Sequence, residues 1–145
     1  MSLELDDLYR EVILDHYRTP RGASPLPHPD VREEGFNPLC GDELTLELQV
    51  EAGVIRDLSV RSRGCSISVA SGSLLAEALR GKTLAEARQL LAGFKAMMQG
   101  QPPGDGVEMG DLEVLEGVKN FPVRIKCALL AWTTLEQALS RVEPT

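Results

Sequence analysis

The stretch Arg61–Ser73, reading Arg-Ser-Arg-Gly-Cys-Ser-Ile-Ser-Val-Ala-Ser-Gly-Ser, constrains this chain more than any other. It ends a strand in a glycine and a cysteine and then opens a helix of small residues. A cysteine at a helix N-terminus faces unsatisfied backbone N–H groups at the positive end of the macrodipole, which favours its thiolate. The run of Ser68, Ala70, Ser71, Gly72 and Ser73 in the first turns calls for close approach by another element. The fold must therefore place a reactive or metal-binding sulfur between a strand end and a tightly packed helix.

Two further cysteines stand in similar positions. Cys40 lies in Asn37-Pro38-Leu39-Cys40-Gly41-Asp42, a turn whose proline and glycine lift two potential ligands clear of the backbone. Cys127 lies in Pro122-Val123-Arg124-Ile125-Lys126-Cys127, beside two cations. Three is an odd number for a disulfide framework, and the chain opens without a charged and then apolar leader. A cytoplasmic location among reductants is expected, and with it metal ligation or thiol chemistry. The plain alternative is that all three are small hydrophobes of the core.

A chain of 145 residues is expected to form one domain, 1–145, burying roughly two thirds of its unfolded surface around a single core. Its net charge of −7 argues against non-specific binding to nucleic acid or anionic membranes. No segment approaches the roughly 18 continuous apolar residues that suggest a membrane span. Only Arg61, Arg63, Arg124 and Lys126 form a basic cluster, and it falls beside two of the cysteines.

Along the chain, Leu5, Leu8, Val12 and Ile13, with Tyr9 and His16, recur at helical spacing over residues 3–18. Thr19-Pro20-Arg21-Gly22 stops that helix, and Pro25, Pro27 and Pro29 mark an extended connection. His16 reads as a packing residue rather than a ligand, and His28 as solvated. Leu44, Leu46, Leu48 and Val50 alternate with Thr45, Glu47, Gln49 and Glu51, the pattern of a strand buried on one face. Ala52-Gly53 turns it into a second strand carrying Val54, Leu58 and Val60, and a third is expected around Val31–Phe36.

Helices are expected over Ser66–Leu79, ended by Gly81, and over Leu84–Met98, begun by Lys82 or Thr83. A loop follows over Gln99–Gly110, then a short helix over Asp111–Gly117. The last helix, about Phe121–Val142, presents Ile125, Leu129, Trp132, Leu135, Leu139 and Val142 on one face. The fold class is thus α+β, a small antiparallel three-stranded sheet packed against several α-helices. In such a sheet Cys40 and Asp42 begin one strand while Cys65 ends its neighbour, which gathers all three at one edge.

Cys40, Asp42, Cys65 and Cys127 would complete a tetrahedral zinc site, and thiolates equally hold iron–sulfur clusters. No local Cys-x-x-Cys knuckle exists, so proximity must come from the fold. The nearby cations oppose the surplus negative charge of three thiolates and a carboxylate.

These residues carry a resemblance. The motifs Asp15-His16-Tyr17-Arg18-Thr19-Pro20-Arg21, Asn37–Asp42, Gly64-Cys65-Ser66-Ile67-Ser68-Val69-Ala70-Ser71 and Pro122–Cys127 appear in one order over nearly the whole chain. The sequence resembles the iron–sulfur cluster assembly family of IscU and the NifU N-terminal domain, closest to its SufU-type branch. The family's three cysteines fall on Cys40, Cys65 and Cys127, and its aspartate on Asp42. Lys126 stands where IscU-type scaffolds have histidine, and Met98 to roughly Gly117 is inserted, both of which resemble the SufU-type branch. Asn120–Arg124 keeps only part of the Leu-Pro-Pro-Val-Lys stretch that chaperones recognise in IscU-type proteins.

The resemblance implies a sulfurtransferase-like acceptor, rather than a free-standing small-molecule enzyme. It would hold Zn2+ on Cys40, Asp42, Cys65 and Cys127 and take persulfide sulfur on Cys40 from a SufS-type cysteine desulfurase. Arg124 and Lys126 would steady the sulfur anion, and the sulfur would pass to a downstream cluster scaffold or apo iron–sulfur proteins. The alternative is a scaffold on which a [2Fe–2S] cluster, or iron, assembles on the same residues.

Overall fold

The computed structural model describes the backbone of residues 3–142 and the side chains from Tyr9 onward. The expected apolar positions Leu5 and Leu8 therefore lie outside the described side chains. Helix α1 (Leu3–Arg18) precedes strands β1 (Val31–Asn37), β2 (Asp42–Glu51) and β3 (Val54–Arg63), then α2 (Ser66–Leu79) and α3 (Leu84–Met98). A 3-10 helix, Gly110–Asn120, and α4 (Pro122–Val142) complete the order. The architecture is α+β, with an antiparallel sheet in the order β1-β2-β3.

The core fills the space between one face of the sheet and the helices. Leu44, Leu46 and Leu48 of β2 and Leu58 and Val60 of β3 are buried with Leu74 and Leu75 of α2 and Trp132 and Leu135 of α4. The small residues of α2 are what let these elements approach. A Cβ on Gly72 would come to 2.9 Å from Val60 Cγ1 and 2.7 Å from Ser62 Oγ of β3, so only glycine lets the helix lie this close to the strand. On its other side, Ser71 donates its hydroxyl to the Ala128 carbonyl at 2.7 Å and accepts from Trp132 Nε1 at 3.2 Å. Trp132 stacks on Phe94 of α3, ring centroids 4.6 Å apart, which ties α3 to α4.

Helix α3 begins where Thr83 and Glu86 form a reciprocal capping box. The turn before it pairs with the start of β3, Ile55 N–H donating to Lys82 O and Gly81 N–H to Ile55 O, both at 2.8 Å. His16 is buried: Nδ1 lies 2.7 Å from Ser73 Oγ, which also accepts from the Arg21 N–H at 2.8 Å. It is a satisfied packing residue that pins α1 to α2, and His28 is exposed, both as expected.

Four local expectations differ. The strict alternation over β2 fails at Glu47, which is buried because the 19–30 connection crosses that part of the sheet. Its carboxylate accepts from Leu26 N–H at 3.0 Å and Arg61 Nη1 at 3.1 Å. Burial by itself pushes the Glu47 carboxyl up, but these hydrogen bonds and the guanidinium outweigh it and hold it below the ordinary range. Second, the register shifts between Gln49 and Val50, so that Ile55 enters the core.

Third, the expected short helix Asp111–Gly117 is a 3-10 helix running to Asn120. Met109, Leu112, Leu115 and Val118, all buried, recur every third residue, the period at which 3-10 side chains eclipse on one face. Fourth, α4 buries more than one stripe: Cys127, Ala128, Leu130, Ala131, Thr134 and Ala138 are buried too, while Ile125, Leu129 and Val142 only partly are.

Candidate metal centre

The sheet gathers the site by pairing. Asn37 at the end of β1 is the register partner of Asp42 at the start of β2, and the turn between them carries Cys40. Next to Asp42, Glu43 pairs with Arg63 at the end of β3, and Cys65 follows as the N-cap of α2. Cys127 arrives from the second turn of α4.

Cys40 Sγ and Cys127 Sγ lie 3.2 Å apart. One ligand atom each of Cys40, Asp42 and Cys127 lie within 4.8 Å of one another. Cys65 stands at the edge of this cluster, its Sγ 3.8 Å from Asp42 Oδ2. The structure thus brings the four sequence-identified residues to one place, with the third thiol, Cys65, reaching the other two through the Asp42 carboxylate. Cys127 and Asp42 are buried, whereas Cys40 and Cys65 are half-buried.

Asp42 holds its position through two backbone features. Its Oδ1 accepts the Cys65 N–H at 2.9 Å, placing the carboxylate on the positive end of α2. Gly64 has φ +137°, and a Cβ there would lie 2.9 Å from Asp42 Cα and collide with Oδ1, so glycine is required where β3 hands over to α2. The Cys65 side chain makes no capping bond of its own to α2, which leaves its sulfur to face the site.

Asn37 is the site residue that sequence reasoning passed over. It is buried, and its Nδ2 approaches Asp42 Oδ2 at 3.3 Å and Cys127 Sγ at 3.7 Å. Its Oδ1 accepts the Leu39 N–H at 3.3 Å, so it also shapes the Cys40 turn. The Asn-Pro dipeptide, a turn-initiating pair, was the available signal.

The two cations occupy different sides. Arg124 lies one turn before Cys127, and the sulfurs of Cys65 and Cys127 beside it raise its affinity for its proton. Lys126 lines a groove of about 300 Å³ with Phe36, Pro38 and Leu39, under the Cys40 turn.

Burial pushes the Cys127 thiol well above the ordinary thiol range, and its contacts with Cys40, Asp42 and Cys65 push it the same way. A buried thiol that resists ionising, grouped with two more thiols and a carboxylate, suits a thiophilic divalent cation, which binds the deprotonated form. The spacing also fits: the donor atoms of Cys40, Asp42 and Cys127, within 4.8 Å of one another, are close enough to share one ion. The chemistry and spacing of the donor set therefore match a metal centre.

Comparison with known proteins agrees. Residues 8–142 match the NifU-like N terminal domain family. The zinc-dependent sulfurtransferase SufU of Bacillus subtilis is 41% identical over 142 residues, covering 98% of this chain and 96% of its own. The iron–sulfur cluster assembly scaffold protein IscU of Thermotoga maritima is 38% identical over 135 residues, covering 93% and 94%. Among solved structures, FiSufU of Fervidobacterium islandicum AW-1, described as an iron–sulfur cluster assembly scaffold protein for the SUF system, superposes with a TM-score of 0.83 at 36% identity, covering 89% of this chain and 94% of the other. With motifs, fold and residue cluster in agreement over nearly its full length, this chain belongs to the NifU N-terminal, IscU–SufU family of iron–sulfur cluster assembly.

Proposed function

We propose that the chain is a zinc-bound sulfur acceptor, receiving sulfur from a cysteine desulfurase on Cys40 and passing it on for cluster assembly. The observation that carries this reading is the contrast among the thiols. Cys40 sits half-exposed on a turn closed by a Gly41 N–H to Asn37 O bond of 2.9 Å, while Cys127 is fixed inside α4 and Cys65 caps α2. Of the three, Cys40 can leave the cluster with the least disruption. The similarity to a zinc-dependent sulfurtransferase supports the reading of the chain as a zinc-bound sulfur acceptor.

Zinc held by Cys40, Asp42, Cys65 and Cys127 would keep these thiols deprotonated at neutral pH. The Cys40 thiolate attacks the outer sulfur of the donor's persulfide. A new S–S bond forms at Cys40, the donor's S–S bond breaks, and the donor cysteine leaves as a thiolate. Arg124 offers its guanidinium to the anionic sulfur, and Lys126 lies under the Cys40 turn. A cysteine-bound persulfide then serves a downstream scaffold or apo iron–sulfur protein.

The second reading, a scaffold for a [2Fe–2S] cluster on the same residues, draws on the similarity to IscU of Thermotoga maritima. Metal analysis with the visible spectrum of protein purified without added iron separates the two. One colourless zinc per chain supports the acceptor, and a sulfide-to-iron charge-transfer band supports the scaffold.

A further inference from the structure

Beside the metal centre runs a groove of about 410 Å³ whose walls come from elements far apart in sequence. Ile13 of α1, Ile67 of α2, Val114 and Val118 of the 3-10 helix, and the exposed Phe121 give it an apolar lining. Ser66, the residue after Cys65, and Arg124, which lies beside the sulfurs of Cys65 and Cys127, line it as well, so the groove ends next to the cluster. One wall is thus supplied by the 3-10 helix, most of which belongs to the stretch that the family resemblance marks as inserted.

Charge sets this groove apart. In a chain of net charge −7, the described residues lining it include Arg10 and Arg124 and no carboxylate. An apolar slot framed by two guanidiniums in an acidic protein complements an apolar side chain flanked by acidic ones. Sharing Arg124 with the thiol cluster, the groove holds whatever fills it next to the cysteines.

We infer that this groove is the docking site for an acidic, apolar segment of the sulfur-donor protein, which it seats so that the donor's persulfide is brought to the thiol cluster. The inference rests on the sulfur-acceptor reading and extends it. The 3-10 helix then serves to build the groove wall, with Met109, Leu112 and Leu115 anchoring it to the core and Val114 and Val118 facing the guest.

The test uses the zinc-loaded full chain with a SufS-type cysteine desulfurase, following binding and alanine release as the chain is titrated. Arg10→Glu and Phe121→Ala alter exposed side chains, so folding is expected to survive in both. Each is expected to raise the half-saturating concentration about tenfold while zinc content and maximal stimulation stay unchanged. Affinity of the unaltered chain is expected to fall as salt is raised, and Ala92→Asp, in a separate groove between α3 and α4 beside Leu91 and Leu139, to have no effect.

Unchanged half-saturation in both variants, with sulfur transfer intact, would overturn the groove assignment and leave the acceptor reading standing. Self-association of the chain that Phe121→Ala abolishes would assign the groove to a second copy and overturn it as well. Failure of the unaltered chain to bind or stimulate the desulfurase would overturn both.

Discussion

Asp42 Oδ1 accepts the backbone N–H of Cys65 at 2.9 Å while its Oδ2 faces the Cys65 sulfur at 3.8 Å. One carboxylate therefore both caps a helix and stands among the thiols. Asp42→Ala leaves a partly buried N–H without its partner and is expected to lower stability by about 1–2 kcal/mol. Asp42→Asn, whose amide oxygen can still accept, is expected to recover most of that loss in a urea titration. Because carboxylate is the harder and more exchangeable ligand, metal in the alanine variant is expected to leave more slowly to a chelator, and sulfur turnover to slow with it. Faster metal loss would make Asp42 a structural ligand instead.

Gly64→Ala is expected to damage the site from the backbone. The position needs φ +137°, and the added Cβ would meet Asp42 Cα at 2.9 Å and Cγ at 3.0 Å. A loss of about 1–3 kcal/mol is expected from strain alone. Zinc content should fall in parallel, because strain at Gly64 also moves the next residue, Cys65, away from the other two thiols. Thermal unfolding and elemental analysis of the same preparation check both.

His16 predicts the acid side of the stability curve. Burial, and then the Arg21 charge, hold its imidazole below the ordinary 6.5, with Glu77, Asp15 and Asp111 pulling weakly the other way. Below pH 6.5 the unfolded chain takes up a proton that the folded chain resists, so stability falls as pH drops from 6.5 through the folded-state value and is flat above it. His16→Gln is expected to flatten that window in urea titrations across mildly acidic pH. An unchanged slope would place the acid sensitivity elsewhere.

Arg124→Ala is expected to slow persulfide transfer by about ten- to a hundredfold, the value of a charge-assisted hydrogen bond to an anion. Zinc content and folding should be retained, since the side chain is exposed and is no ligand. Single-turnover transfer from a persulfidated desulfurase separates this from weaker binding.

Much of the fold and the site was legible in the chain. Alternating apolar residues placed β2, and the Pro-Leu-Cys-Gly-Asp turn and the Gly-Cys handover put Cys40, Asp42 and Cys65 at one sheet edge. The parts that escaped depend on tertiary partners. Glu47 looked solvated because its burial comes from the 19–30 connection laid across it, and Ile55 looked off-phase because a bulge moved the register. The three-residue spacing of Met109, Leu112, Leu115 and Val118 was visible, but a short apolar run does not reveal whether it will wind as α or 3-10. Asn37 was hidden for a different reason: a turn-forming residue gives no sign that its amide also reaches the sulfur of Cys127, delivered by the last helix.

Whether Cys40 is the sulfur acceptor of a zinc-bound cluster is tested most directly by mass spectrometry of the zinc-loaded chain after one turnover with a cysteine desulfurase and cysteine. One added sulfur atom is expected on the peptide carrying Cys40, and none in Cys40→Ala, which should also fail to stimulate alanine release. Full stimulation by Cys40→Ala, or the added sulfur found on Cys65 or Cys127 instead, would contradict the assignment of Cys40 as acceptor.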